Sequence, residues 1–200
     1  MASTDVYIPL STTALVPIEM TDAVTGVMEL ARIGGAKLVL VGAHALNRYV
    51  RKPRSSLDVD FLTDKPNAFL AGLPGFDLED YPSVIRFKQN GQEAVDVIKP
   101  THPLFRAILS RTDLVTKDDT FVFPTIEGVL ALKFSSMISM GRDPGDKQQD
   151  AADFMNATRH SASRIDRAKL RELAELVYSG ASAEMDGYVN DSLAGIPLKI

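Results

Sequence analysis

The dipeptide Asn90-Gly91 is the feature of this sequence that most restricts its fold. It separates two segments rich in apolar and β-branched residues, Val84–Gln89 and Glu93–Ile98. Both loop residues of a two-residue hairpin need positive φ angles, which Asn and Gly tolerate, so this pattern is the strongest short-range signal for a β-hairpin. We therefore predict two adjacent antiparallel strands, with Gln89 paired to Gln92.

Asp96 is a charged residue in the middle of the second hairpin strand. The predicted register places it opposite Ile85, and Val95 and Val97 flank it. A carboxylate in an otherwise apolar strand loses hydration, so it needs charged partners or a metal ion in compensation. The alternative is that Asp96 lies at a solvated strand end.

Asp58 and Asp60 form an Asp-x-Asp pair in Leu57–Leu62, where apolar and acidic residues alternate as in a strand with one polar face. Side chains two residues apart leave a strand on the same side, roughly 6.5–7 Å apart at Cα. The apolar residues of the segment should then face the core: Leu57, Val59 and Phe61. The alternative is an acidic pair on a solvent-facing edge strand.

The three aspartates together predict a magnesium (or manganese) site. Two close carboxylates repel each other unless a cation lies between them. Magnesium prefers oxygen ligands and is usually held by one or two carboxylates plus substrate phosphates. Carboxylates from Asp58, Asp60 and Asp96 on neighbouring strands would match a two-metal site for in-line displacement.

Gly42 and Ala43 form the candidate phosphate-binding turn. Gly42 ends the predicted buried strand Lys37–Val41, and Ala43 begins a predicted helix, Ala43–Val50. Backbone N–H groups and the positive end of a helix dipole favour anions at such a position. His44 lies at the start of this helix and can donate to a phosphate; alternatively, it is a surface or packing histidine.

Composition limits the other possibilities. There is no cysteine, so disulfides and thiolate zinc sites are excluded. The net charge of −4 argues against general nucleic-acid coating, although Arg48–Arg54 forms a local basic cluster. We find neither a signal-peptide pattern in MASTDVYIPL nor an apolar run long enough to cross a membrane, and we expect a cytoplasmic protein without membrane contact.

The chain changes character near Pro124. Before it, we predict an irregular arm (1–17), a helix from Thr21-Asp22 to about Arg32 and the strands above. We also predict a helix over 102–110 and a strand at Phe121–Phe123. Helices follow, the first starting at Pro124 and the others covering Lys147–Asn156 and Asp166–Tyr178; the tail after Gly180 has no strong period. We predict an α+β fold with an α/β core over 1–123 and a helical part over 124–200.

Two segments resemble the nucleotidyltransferase superfamily, and most closely its AbiEii-like branch, known from toxin–antitoxin and phage-abortive systems. They are Leu40–Arg48 and Arg54–Phe61. In that family a Gly-Gly or Gly-Ser opens a helix, and an Arg-x-Thr/Ser-x-Asp-x-Asp strand follows. The resemblance extends over about 37–155. It implies a polymerase-beta-type fold, with a small mixed sheet flanked by helices and further helices at the C-terminal end.

The resemblance also implies roles for individual residues. Gly42 and Ala43 would cradle a nucleoside triphosphate, and Asp58 and Asp60 would bind the metals. Arg54 and Ser56 match the family's strand motif at its spacing and would belong to the nucleotide site. Asp96 would be the third carboxylate and the base. The family's serine or second glycine is replaced by Ala43, which offers an N–H but no hydroxyl.

Two helical segments extend the resemblance. Leu130-Ala-Leu-Lys133 is similar to the segment whose lysine reaches the nucleotide phosphates, although Lys133 can also be a lysine extended along an amphipathic helix. Lys147-Gln-Gln-Asp150-Ala-Ala-Asp153 is similar to the family's Lys-Asp-x-x-Asp helix. Its spacing of three places the charges on one face, which indicates a structural ion-pair face.

We therefore predict transfer of a nucleoside monophosphate from a triphosphate to an acceptor hydroxyl on tRNA, a protein or a small molecule. An antitoxin is a further possible partner. The alternative is a non-catalytic relative that binds nucleotide or protein as a regulator. Glycosyltransferases generally need a longer α/β domain before Asp-x-Asp, and haloacid-dehalogenase-like phosphatases carry it on the first strand. Both rank below the first hypothesis.

Overall fold

The computed structural model describes residues 18–200, so the predicted irregular arm (1–17) lies outside the described residues. The described chain folds into seven α-helices, which are α1 (Asp22–Gly34), α2 (Gly42–Leu46), α3 (Pro103–Ser110), α4 (Ile126–Ile138), α5 (Pro144–Ser161), α6 (Arg167–Glu175) and α7 (Ala181–Ala194). The strands are β1 (Leu38–Leu40), β2 (Val59–Thr63), β3 (Asp77–Asp80), β4 (Val84–Gln89), β5 (Gln92–Ile98), β6 (Val115–Lys117) and β7 (Val122–Pro124).

The main sheet is mixed, with the strand order β1-β2-β5-β4-β3. β2 and β5 are parallel, and the other neighbours are antiparallel. β6 and β7 form a separate two-stranded sheet. The predicted α+β class with a small mixed sheet is confirmed.

The hairpin β4–β5 has the predicted loop but not the predicted register. Gln89 pairs with Gln92, as expected, yet Arg86 rather than Ile85 lies opposite Asp96. The register shifts between Phe87 and Lys88, as in a β-bulge. The shift brings the buried alternating positions of both strands onto one face, and these positions are Ile85, Phe87, Val95 and Val97.

β2 begins at Val59, one residue after Asp58, which is the first aspartate of the Asp-x-Asp pair. Val59 and Phe61 are buried as predicted, but Leu57 is 92% exposed, so its expected place in the core was wrong. The strand begins at Val59, and the strand alternation does not extend back to Leu57. Asp58 therefore lies at the strand entrance and Asp60 inside the strand.

The predicted end signals of α1 are confirmed. The Thr21 hydroxyl accepts a hydrogen bond from the Val24 N–H (3.3 Å), and Gly35 ends the helix with φ +58°. Pro124 does not start a helix: it ends β7, and α4 begins at Ile126 after the N-cap residue Thr125.

α7 was missed by the sequence prediction. Its buried positions recur at helical spacing, but alanine and serine are two of them, so the apolar period is weak: Ala181, Met185, Val189 and Ser192. The helix is held by tertiary packing. The Phe134 ring of α4 lies 5.9 Å from the Tyr188 ring of α7 and 6.3 Å from the Tyr178 ring.

The helices α4 and α5 pack together and approach the sheet on the side where β2 and β5 carry their acidic residues. Among residues 18–200, no helix combines the length and the apolar character needed to cross a membrane.

Phe134→Ala should destabilise the protein by about 3–5 kcal/mol, because it removes a fully buried ring that joins α4 to the C-terminal helix. Urea unfolding followed by circular dichroism measures this change. Ile33→Ala, at a side chain that is 69% exposed, is the control and should change the free energy of unfolding by less than about 0.5 kcal/mol. An equally small effect of Phe134→Ala would contradict the packing described here.

Candidate active site

A cavity of about 520 Å³ opens between the sheet and the helices α4 and α5. It lies where the end of β1, the entrance of β2 and the middle of β5 meet. Nearly all the predicted site residues line it: Gly42, Ala43, Arg54, Ser56, Asp58, Asp60, Asp96 and Lys133. The sequence prediction therefore brought together residues from four separate segments of the chain that share one cavity.

Asp60 and Asp96 lie side by side. They are direct partners in the parallel pairing of β2 with β5, and neighbouring strands are about 4.8 Å apart. Asp96 is buried, so the alternative of a solvated strand end does not apply. The carbonyl of Asp60 also accepts a hydrogen bond from the Val41 N–H at 2.9 Å, which ties the turn at Gly42 to β2.

The three carboxylates differ in their hydrogen-bond partners. Asp58 accepts from the Ser56 hydroxyl at 2.7 Å. The two oxygens of Asp96 accept from Nε and Nη2 of Arg86 at 2.9 and 2.8 Å. Within residues 18–200, the Asp60 carboxylate has neither a hydrogen-bond donor nor an ion-pair partner. Asp60 is therefore the carboxylate with unused acceptor capacity.

Burial raises the pKa of Asp60 to about 7, and the charges of Asp58 and Asp96 act in the same direction. Lys133 and Arg142 oppose the shift without cancelling it. The charged carboxylate of Asp60 is therefore disfavoured, first by burial and then by its two acidic neighbours, and a divalent cation would relieve both effects.

Gly42 allows the close approach of the Asp60 carboxylate. Its φ angle is +61°, and a Cβ atom built on it would lie 1.9 Å from Oδ2 of Asp60. Any side chain at residue 42 would therefore displace that carboxylate. Gly42, which the sequence predicted for phosphate binding, thus has a structural reason to be glycine.

His44 does not line the cavity formed by the described residues. It is half-buried, and its two ring nitrogens are buried without a hydrogen-bond partner in residues 18–200. Burial lowers the pKa of His44. His44 therefore lies where a packing histidine would lie, which was the alternative to a phosphate donor in the sequence analysis.

Lys133 lies at the centre of a buried ion cluster. Its Nζ atom is 2.7 Å from a carboxylate oxygen of Asp150 and 2.7 Å from one of Asp153. Arg142 Nε contacts Asp150 at 2.7 Å, and Arg54 Nη2 contacts Asp153 at 3.3 Å. Asp150 and Asp153 of α5 thus form ion pairs with partners from α4 and from the segments before β2 and α5. The predicted ion-pair face is confirmed for these two aspartates but wrong for Lys147, which forms no ion pair within residues 18–200.

Two of the four basic residues of the cluster at residues 48–54 are neutralised by ion pairs. Arg48 forms an ion pair with Asp118, and its guanidinium carbon lies 4.0 Å from the centre of the Phe123 ring. Arg54 contacts Asp153, as described above. Arg51 and Lys52 are exposed on the turn that leads towards β2.

Three residues near the cavity were missed. Asn47 hydrogen-bonds the backbone of Arg54 in both directions, at 2.8 and 3.1 Å, and so fixes the loop before β2. Arg142 and Arg86 line the cavity. Arg86 could have been found from the apolar alternation of the two hairpin strands. The apolar residues of both strands face the same side only if one strand contains an extra, bulged residue, and this bulge places Arg86 opposite Asp96.

Asp58 and Asp60 are the residues that could hold a magnesium ion. Asp58 and Asp60 provide the one or two carboxylates that magnesium usually takes beside substrate phosphates. No group of three or more His, Cys, Asp or Glu side chains in the described part is arranged to hold a metal ion. Asp96, the predicted third ligand, is held by Arg86.

Comparison with known proteins supports the fold. No protein-family model matches the sequence, and no curated protein matches it. A nucleotidyltransferase-like antigenic protein from Paracoccidioides brasiliensis superposes with a TM-score of 0.50 at 14% identity, over 84% of this chain and 90% of that chain. The protein JHP933 from Helicobacter pylori gives a TM-score of 0.44 at 14% identity, over 88% and 94%. The chain thus has a nucleotidyltransferase-like fold, while membership of the AbiEii-like branch stays a prediction.

Gly42→Ala should destabilise the protein more than Gly91→Ala does. Both residues have positive φ angles, which cost an alanine about 1–3 kcal/mol, but no atom lies within 4 Å of a Cβ built at Gly91. The clash with Asp60 should add roughly 1–3 kcal/mol at Gly42. Urea unfolding of the two variants measures the difference, and equal losses would contradict the close approach of Asp60.

The free energy of unfolding of the metal-free protein should fall as the pH rises from about 4 to about 7, because Asp60 loses its proton in this range. In this range the folded protein keeps a proton that the unfolded chain releases, because the pKa of Asp60 is raised to about 7. The contribution is fully present below the unfolded pKa and is lost as the pH passes the folded one. Asp60→Asn should therefore stabilise the protein at pH 8 more than at pH 4. The difference between the two stabilising effects, each measured against the wild type, should be no more than about 4 kcal/mol.

Denaturant titrations in EDTA across this pH range measure the effect. Asp119→Asn, at an exposed carboxylate, is the matched control and should leave the pH profile unchanged. Parallel profiles for the wild type and Asp60→Asn would show that Asp60 is not destabilised in the folded state.

Proposed function

We propose that this protein transfers a nucleoside monophosphate from a nucleoside triphosphate to an acceptor hydroxyl, with release of pyrophosphate. The observation that carries the proposal is the Asp60 carboxylate. It is held in a cavity beside two further carboxylates, without a protein partner in residues 18–200 and with its pKa raised to about 7. The nucleotidyltransferase-like fold supports the same conclusion.

Asp58 and Asp60 would hold the divalent cation, magnesium or manganese. When bound, this ion neutralises charge on the triphosphate and orients it for in-line displacement. The Ser56 hydroxyl holds the Asp58 carboxylate in position, and Gly42 leaves room for that of Asp60. The protein thus prepares two oxygen ligands before any ion arrives.

The opposite wall of the cavity supplies positive charge for the phosphates. Lys133, Arg142 and Arg54 line it, and their carboxylate partners on α5 keep them in fixed positions. Fixed cations stabilise charge without reorganising during the reaction. The backbone of Gly42 and Ala43 would contact the triphosphate at the start of α2.

Asp96 is proposed as the base for the acceptor hydroxyl. It lies beside Asp60, and each of its oxygens has a second lone pair beyond the one that Arg86 uses. A tRNA end, a protein side chain or a small molecule remains a possible acceptor. The exposed Arg51 and Lys52 could attract an RNA.

A nucleotide-binding regulator without turnover is the second candidate function. Two observations favour it: Ala43 lacks the hydroxyl that a serine would offer, and Arg86 already occupies both oxygens of Asp96. Such a protein would bind nucleotide with magnesium but label no acceptor. The toxin–antitoxin role, an antitoxin partner and a cytoplasmic location remain predictions.

Incubation with triphosphates labelled at the α-phosphate, together with total tRNA or a cell lysate, tests the transfer. We expect labelled product from the wild type and a loss of at least about 100-fold in Asp58→Asn and Asp60→Asn, because each removes one charge from the metal site. Label from the γ-phosphate should stay in pyrophosphate. Asp119→Asn is the matched control and should keep full activity.

Titration calorimetry with magnesium and each nucleoside triphosphate separates the two functions. Binding that Asp58→Asn abolishes, without transfer to any acceptor, would favour the regulator. Transfer of γ-label to the acceptor would mean phosphoryl transfer instead. Nucleotide binding that is unaffected by both aspartate variants would defeat the proposal.

A further inference from the structure

Arg86 lines the cavity and has all three guanidinium nitrogens engaged by carboxylates. Nε and Nη2 donate to the two oxygens of Asp96, and Nη1 forms an ion pair with Glu93. The guanidinium carbon also lies 6.0 Å from the centre of the Tyr81 ring. A bidentate pair of this kind is among the stronger and more specific ion pairs in proteins.

The backbone fixes this arrangement. Arg86 and Asp96 are direct cross-strand partners because the register shifts within the β4–β5 hairpin. Without that shift, Asp96 would face Ile85, and no cation of β4 would lie opposite it. The Arg86–Asp96 pair is therefore a consequence of the hairpin geometry, unlike an ion pair between two flexible surface side chains.

We infer that Arg86 stands in place of the second cation of a two-ion site, so that the cavity binds a single divalent ion, at Asp58 and Asp60, with each nucleotide. This inference rests on the proposed function. It replaces the shared three-carboxylate site predicted from the sequence by a site with two separate halves. One half is open to a metal ion, and the other already contains a cation of the protein, Arg86.

Charge and geometry both support this division. A divalent ion on Asp96 would lie next to the positive guanidinium and would have to share both carboxylate oxygens with it. The neighbouring Asp60 carboxylate accepts no hydrogen bond and forms no ion pair within residues 18–200, so an ion there does not compete with a bound guanidinium.

The replacement has a chemical consequence for the acceptor. A guanidinium neutralises charge, but it has no open coordination position for an acceptor oxygen. The acceptor hydroxyl would therefore be held by hydrogen bonds to protein groups such as Asp96. The Arg86 cation also stays in the site when pyrophosphate leaves.

Electron paramagnetic resonance of bound Mn²⁺, in the presence of an α,β-methylene triphosphate, counts the ions directly. We expect one ion per chain in the wild type and in Arg86→Lys, which keeps the positive charge. Arg86→Met, which removes it, should bind a second ion. Lys88→Met is the matched control on the same strand, because Lys88 pairs with Glu79 away from the cavity, and it should bind one ion.

Two ions in the wild type would overturn the inference and leave the proposed function intact. A folded Arg86→Met protein that still binds one ion would also overturn it, because Arg86 would then not be what excludes the second. If Arg86→Met does not fold, the ion counts of the other two proteins remain a test. Two ions in the wild type or in Arg86→Lys would overturn the inference, and one ion in both would support it. No Mn²⁺ bound in any of the proteins would defeat the proposed function itself.

Discussion

The parallel pairing of β2 with β5 sets two aspartates next to each other, and much of the surrounding structure compensates for that contact. Asp60 and Asp96 would repel each other strongly in a half-buried position. Arg86 compensates for the charge of Asp96, whereas the charge of Asp60 is balanced only partly, by the more distant Lys133 and Arg142. Gly42 makes room for the Asp60 carboxylate at the same point. The pairing of β2 with β5 thus explains why Gly42, Lys133 and two arginines, Arg86 and Arg142, surround these two strands.

The ion cluster of α4 and α5 is the second structural requirement of the site. Lys133, Asp150 and Asp153 are all buried, and removing one partner of such a group leaves an uncompensated charge that typically costs 3–5 kcal/mol. The cluster adds little to stability by itself, because desolvation offsets most of the attraction. Its structural effect is to hold the cations at defined positions along the wall of the cavity.

Much of this site could be predicted from local sequence patterns, because its residues occur in short motifs. Asn90-Gly91 determines the hairpin, and the Asp58/Asp60 spacing places both side chains on one edge of the cavity. Arg86 was missed because the loop alone suggested an uninterrupted register. The partners of Lys133 could not be predicted, since they depend on how α5 packs against α4. α7 was missed because its buried face includes Ala181 and Ser192, which carry little hydrophobic signal.

The order of strands in the main sheet also affects how the protein folds. β2 and β5 are neighbours in the sheet, but β3 and β4 lie between them in the chain, so their pairing closes a long loop. Such non-local pairings form slowly compared with hairpins and helices. During synthesis, Asp58 and Asp60 leave the ribosome well before Asp96, and the cavity cannot exist until the β4–β5 hairpin has docked. We therefore expect Asp60 and Asp96 to come together late in folding, by the same event that completes the sheet.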